Sequence, residues 1–341
     1  MERTHGYGGI DRFRLIAATL IVGIHTYPLV SISDVVNFYV IHVLARVAVP
    51  FFLMVTGYFL LPRYLFRRER DIKPLVNFIK KTGLIYALAT LLYLPISIYA
   101  GHYAGVNLFT AIARNIVFDG TFYHLWYLPA SIIGVLILYV LGRKFSFHVI
   151  LVIVGALYII GLFGDNYFGV ISGVPFLREI YYFGFNIFSF TRNGLFYAPI
   201  FLVMGAIFAR SGNRIKSGES IIGLVISLSM LVLEGHLLRN SGLSRHSSMY
   251  FALLPSMFFL FNILLTIEGK SVALLRGVSM WIFILHPLFI IVVRGMARVL
   301  RLTHLLVENS VINFITVYII SVVASVFCAV MLSRYKGRSF V

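Results

Sequence analysis

The sequence predicts an all-α, polytopic membrane protein, and three observations carry that prediction. Hydrophobic residues make up 60% of the 341, charged residues 12%, and mean hydropathy is +0.93, which leaves too little polar surface to clothe a water-soluble globule. Apolar windows of roughly twenty residues, the length that crosses a bilayer as a helix, recur along the whole chain. Most of the charges lie in the connections between them. Hydrocarbon offers a bare backbone amide no partner, so such spans are helices.

Ten windows fall at about 13–32, 38–61, 76–99, 124–142, 148–164, 193–210, 220–236, 249–267, 278–297 and 311–332, with no internal repeat. The first belongs to GIDRFRLIAATLIVGIHTYPL, residues 9–29, which carries Arg14 at its mouth and His25 in its body. Eleven residues of helix are three turns plus roughly 20° and a rise near 16 Å. Both side chains therefore point the same way. A histidine inside a lipid-embedded helix loses solvation, so it faces a bundle interior or a water-filled cavity. Two readings stand: a site residue, or a neutral imidazole satisfied by a neighbouring carbonyl.

The second window carries His42 and Arg46, four apart and so on one face. A guanidinium midway along a span costs about 2.5–3.5 kcal/mol on insertion scales, and it requires an anion or carbonyls nearby. The third window has a possible early stop at Pro95, and the fourth opens with FYHLWYLPA. There His124 joins Trp126 and Tyr127, residue types that ordinarily form an interfacial belt. The fifth is short, bounded by Gly164-Asp165. Arg192-Asn193-Gly194 opens the sixth, offering a cation and an amide to a small anionic solute, or simply a snorkelling arginine. Glu234 and His236 end the seventh, and His286-Pro287 interrupts the ninth, where proline frees a backbone carbonyl.

Lysine and arginine counts on alternate sides set the orientation. With the N-terminus inside, 20 of the 29 lie on inner segments, including Arg3, Arg12, Arg14, Arg214, Lys336 and Arg338, so both termini are expected in the cytoplasm of a plasma-membrane protein. The net charge of +17 then reflects anionic headgroups rather than nucleic acid. The inner segment RYLFRRERDIKPLVNFIKK is either a positive-inside anchor or a grip for a phosphorylated cofactor. On the outer side, residues 106–118 read as a short amphipathic surface helix. One cysteine, Cys328, excludes disulfides and thiolate metal sites. Asp34, Asp119 and Asp165 are too scattered to hold a metal, and no Gly-rich phosphate loop, HExxH pair or GxSxG elbow occurs. The first apolar run also lacks the cleavage site of a signal peptide.

The blocks GIDRFRLIAATLIVGIHTYPL, RVAVPFFLMVTGYFLL, YHLWYLPA, TRNGLFYAPIFLVMGAIF and VSMWIFILHPLFI, in that order, resemble the acyltransferase-3 family of ten-helix membrane proteins. Within it, they resemble the membrane domain of the serine racemases of vancomycin-resistance operons, which act in cell-wall antibiotic resistance. The resemblance covers nearly the whole chain. It places the family's Arg-x10-His pair on Arg14 and His25 as catalytic residues, and an Arg-x-x-Arg element on Arg67 and Arg70 as the cofactor grip.

Two functions follow from the resemblance. One is acyl transfer, with His25 as general base and acyl-CoA as donor, its phosphates held by the arginines at the cytoplasmic mouth. The other is delivery of L-serine, or a similar small polar solute, across the bilayer to a cytoplasmic racemase domain. That domain would carry pyridoxal phosphate and is expected to follow residues 1–341, which form one transmembrane domain needing no cofactor of its own. The chain departs from many acyltransferases in RVAVPFFLMVTGYF, where a glycine-valine-aspartate stretch precedes the two phenylalanines; Arg46 is foreign to plain acyl transfer. A zwitterion needs a cation for its carboxylate and an acceptor for its ammonium. Arg46 or Arg192 supplies the first and Glu234 or Asp119 the second, with His124, Asn193 and His286 completing the expected substrate contacts.

Overall fold

The computed structural model describes residues 7–102, 107–211 and 215–335. Arg3, Val106, Arg214, Lys336, Arg338 and the tail after Tyr335 lie outside the described residues. Among those described there is no strand. A helix falls in each of the ten apolar windows: α1 Gly8–Thr26, α2 Asp34–Leu60, α3 Lys73–Tyr99, α4 Tyr127–Lys144, α5 Phe147–Phe163, α6 Ala198–Arg210, α7 Ser217–Ser241, α8 Leu253–Thr266, α9 Ala273–Val299 and α10 Ser310–Tyr335; a further 13-residue helix, Pro175–Ile187, lies outside the windows. Six of them, α2, α3, α4, α7, α9 and α10, are long and apolar enough to cross a membrane. The helices α5, α6 and α8 are apolar but shorter, and α1 carries Asp11, Arg12 and Arg14 near its start.

Several expected boundaries move for local reasons. The helix α3 runs through Pro95 to Tyr99, and α9 continues past Pro287, so neither proline interrupts its span. The helix α1 stops at Thr26 because Tyr27 takes a left-handed conformation, φ 52°, with its amide bonded to the Gly23 carbonyl. Helix α2 is not regular. Its α-helical start, Asp34–Asn37, passes into a π-helical turn at Phe38–Val43 and a 3-10 turn at Leu44–Val47 before regular helix resumes at Ala48. Such changes of pitch release backbone groups from the ordinary ladder and recur at functional sites. Residues 107–119 form a helical turn pair, Leu108–Arg114 and Asn115–Asp119, capped by the Asn107 side chain. Phe109 is 82% exposed there, in keeping with an amphipathic segment.

The chain divides into two compact units. One comprises Met1–Val49, Ile215–Val232 and Pro255–Val341; the other comprises Pro50–Arg214 and Leu233–Leu254. In the first unit α1, α9 and α10 pack around Ala18, Val22, Val278, Ile282, Ile290, Val293, Val317 and Ala329. The Thr19 hydroxyl ties α1 to α10 through the Tyr318 hydroxyl at 2.9 Å. In the second unit α2 and α6 touch backbone to backbone. A Cβ on Gly57 would fall on the Leu202 carbonyl, and one on Gly205 on the Met54 carbonyl, so only glycine permits the approach.

Candidate functional site

The first unit holds Arg14, His25, His42, Arg46 and His286 of the polar groups that the sequence placed inside spans. At the start of α1, Asp11 is 2% exposed, and its carboxylate accepts from the Ser271 hydroxyl at 2.7 Å, the Val272 amide at 2.9 Å and the Arg276 guanidinium at 3.4 Å. Arg14 pairs with the same carboxylate, Nε to Oδ1 at 3.3 Å. The arginine of the Arg-x10-His pair is therefore oriented by a buried aspartate one turn earlier, which also fastens α1 to the start of α9. Asp11 escaped the sequence reading. The available signal was its i,i+3 spacing from Arg14 in a chain with few acids.

Removing that carboxylate takes away the acceptor shared by Arg14, Ser271, Val272 and Arg276. Asp11→Ala is expected to cost on the order of 3 kcal/mol, and Asp11→Asn less, because an amide oxygen still accepts. Thermal midpoints of the purified protein in detergent check the order wild type, Asn, Ala.

Farther along α1, the His25 ring stacks on His286 of α9, with centroids 5.3 Å apart and planes at 24°. His286 is fully buried, and its Nδ1 lies 2.9 Å from the Ile282 carbonyl. A carbonyl only accepts, so this nitrogen carries the hydrogen. The carbonyl-satisfied imidazole considered for His25 is thus realised at His286, one turn after the carbonyl it uses. His25 is only partly buried. The outcome is a pair of stacked imidazoles on two helices, one anchored and the other partly accessible.

Arg46 finds the carbonyl that its position demands. Its Nε lies 3.4 Å from the His42 carbonyl and its Nη2 3.4 Å from His42 Nδ1, just where α2 changes pitch. The His42 ring is stacked on Tyr27 and on Phe38, each at 5.7 Å. The i,i+4 spacing already sets His42 beside Arg46; the change of helical pitch at this point is what the spacing does not show.

The second unit gives its residues different roles. Glu234 accepts from the Phe251 amide at 2.8 Å, the Ala252 amide at 2.8 Å and the Tyr167 hydroxyl at 2.6 Å. Burial first, and then the Glu234 carboxylate, push the Tyr167 phenol far above its ordinary range, so it stays a donor. Glu234, expected as an acceptor for a solute's ammonium, thus staples neighbouring connections together. Asp119, expected in the same role, accepts the Ser189 amide at 2.9 Å and pairs with Arg114 at 3.4 Å. Asn193 is fully buried, accepting from the Leu195 and Phe196 amides while donating to the Phe190 carbonyl. Its side chain shapes the turn into α6.

Arg192 sits over two aromatic faces, 5.3 Å from the Trp126 ring centre and 4.7 Å from that of Phe190, a cation–π arrangement in place of snorkelling. His124 points inward at 2% exposure, among Tyr93, Phe122 and Tyr123. Trp126 is also buried, which removes it from an interfacial belt. Arg67 is exposed and 3.8 Å from Glu69, and Arg70 is exposed too. Glu234→Gln places an amide hydrogen among three donors. It is expected to lower stability by about 2 kcal/mol while leaving the solute affinity of the folded fraction unchanged, which pairs a thermal midpoint with a binding isotherm.

Two helices bearing Arg14, His25 and His286, embedded in a multi-pass helical protein, define the class. The acyltransferase domain family matches residues 7–334, and this chain belongs to that acyltransferase-3 family. Among its relatives, an amino-acid racemase of Enterococcus faecalis is 44% identical over 99% of this chain and 47% of its own length. A second amino-acid racemase of that organism is 35% identical over 93% of this chain and 45% of its own. A serine/alanine racemase of Enterococcus gallinarum is 33% identical over 92% of this chain and 45% of its own. The chain thus spans somewhat under half the length of these relatives. No solved structure matches it.

Proposed function

We propose that this chain is a membrane domain that moves L-serine, or a closely similar amino acid, across the plasma membrane to a cytoplasmic racemase domain. The observation that carries this reading is the extent of the likeness: between 92 and 99% of the chain aligns with proteins named for racemising amino acids, one of them for serine and alanine. The geometry supports it. Within one unit, Arg46 lies at a break in α2 and offers a cation for the solute carboxylate, while His25 lies partly open against an anchored partner. Broken helices at ligand sites are a recurring device of secondary transporters.

In this reading all ten helices cross the bilayer, both termini are cytoplasmic, and water and solute reach His25. Proteoliposomes holding the purified chain should accumulate labelled L-serine above protein-free vesicles. Uptake equal to the empty vesicles, with no serine bound by the purified protein, would refute the proposal.

A second reading is favoured by the Arg14–His25 pair itself and by family membership. His25 would take the proton of an acceptor hydroxyl as that oxygen attacks the thioester carbonyl of an acyl-CoA, and the coenzyme would leave as thiolate. Arg67 and Arg70 would hold its phosphates. Release of free thiol from acyl-CoA, lost in His25→Ala, tests it.

A further inference from the structure

We propose that His42 is a proton-operated latch on Arg46, releasing the guanidinium to a ligand carboxylate only when the imidazole is protonated; the inference rests on the amino-acid reading above. Arg46 meets His42 twice, through Nε to the backbone carbonyl and through Nη2 to Nδ1, both at 3.4 Å. A guanidinium has donors and no acceptor, so Nδ1 must bring a lone pair to this contact. The latched state therefore needs a neutral ring with its hydrogen on Nε2. Protonation sets one N–H against another and puts two cations a few ångströms apart, turning an attraction into a repulsion.

The surroundings suit a device of this kind. Stacked on Tyr27 and Phe38 at 5.7 Å, with planes at 26° and 18°, the ring is held in place. Both Arg46 contacts exceed the usual 2.7–3.2 Å of a strong N–H hydrogen bond. A carboxylate, which accepts from a guanidinium through two short charge-assisted bonds, displaces them. The carbonyl at stake lies in the π-helical turn Phe38–Val43, next to the 3-10 turn Leu44–Val47, so the backbone that Arg46 caps is already outside a regular ladder. Among the described residues, the titratable and charged groups set against the imidazole include Tyr27 at the end of α1 and Arg46 on α2 itself. His25, two residues before Tyr27, stacks on His286 of α9.

Linkage makes the consequence reciprocal: if protonation favours carboxylate binding, carboxylate binding draws a proton from solution. Calorimetry of L-serine binding to the full chain in nanodiscs, run in two buffers of different ionisation enthalpy across pH 5.5–8, reads that proton directly. The expected result is uptake approaching one proton per serine bound. Above the titration of His42 the affinity should fall, approaching tenfold per pH unit. His42→Gln keeps an acceptor for Arg46 but no titrating nitrogen, and should bind serine with no proton uptake. Wild-type binding that is independent of pH, or proton uptake that survives His42→Gln, overturns the latch while leaving serine handling intact. No serine binding at any pH overturns both.

Discussion

His25→Ala should lower L-serine uptake by roughly a hundredfold while the protein still reaches the membrane. A hydrogen bond to a charged group contributes up to about 3 kcal/mol, and every 1.4 kcal/mol is a factor of ten. His25 offers such a bond from the partly accessible ring of the stacked pair. Removing it also takes away the ring that covers His286, so thermal midpoints of the variant are needed beside the transport rates. His25→Asn, which retains a donor and an acceptor but cannot titrate near neutrality, separates the two contributions. If its uptake approaches wild type, hydrogen bonding suffices; if it matches alanine, the titrating ring is required.

Arg46→Met should raise the KM for serine about thirtyfold or more, because truncating one partner of a desolvated charge pair costs about 2–5 kcal/mol. Arg46→Lys should be intermediate. It retains the positive charge but lacks the planar fork that matches a carboxylate, and its ammonium cannot hold the His42 carbonyl and ring nitrogen in the same way. The contrast with Glu234→Gln is informative, since that change alters a carboxylate already occupied by three donors. Concentration dependence of initial uptake for the three variants, normalised to folded protein, checks the ranking Met, Lys, then Gln nearest to wild type.

Much of the fold was legible from hydropathy because membrane helices must satisfy their amides internally, which makes the apolar window itself the structural unit. Each of the ten windows holds a helix. The irregular pitch of α2 was not legible, since His42 and Arg46 at i,i+4 fit an ordinary helix equally well. The prolines misled in the other direction: Pro95 and Pro287 suggested breaks, yet both helices continue around them. Polarity in apolar surroundings singled out Arg14, His25, Arg46 and His286 as candidates. It could not pair His25 with His286, which lie 261 residues apart. Polarity alone gave no sign that Asn193 and Glu234 accept from backbone amides of neighbouring turns, and it passed over Asp11 at the edge of the first span.

If His25 borders water through which a solute passes, the reactivity of a cysteine at that position reports it. Cys328 is the only native cysteine, so Cys328→Ser provides a thiol-free background into which His25→Cys is introduced. In sealed vesicles, a charged, membrane-impermeant thiol reagent should modify that cysteine at a rate near that of a water-exposed thiol. A cysteine at 25 that resists the charged reagent yet reacts with an apolar maleimide would place the position against lipid or dry protein, and would contradict the account.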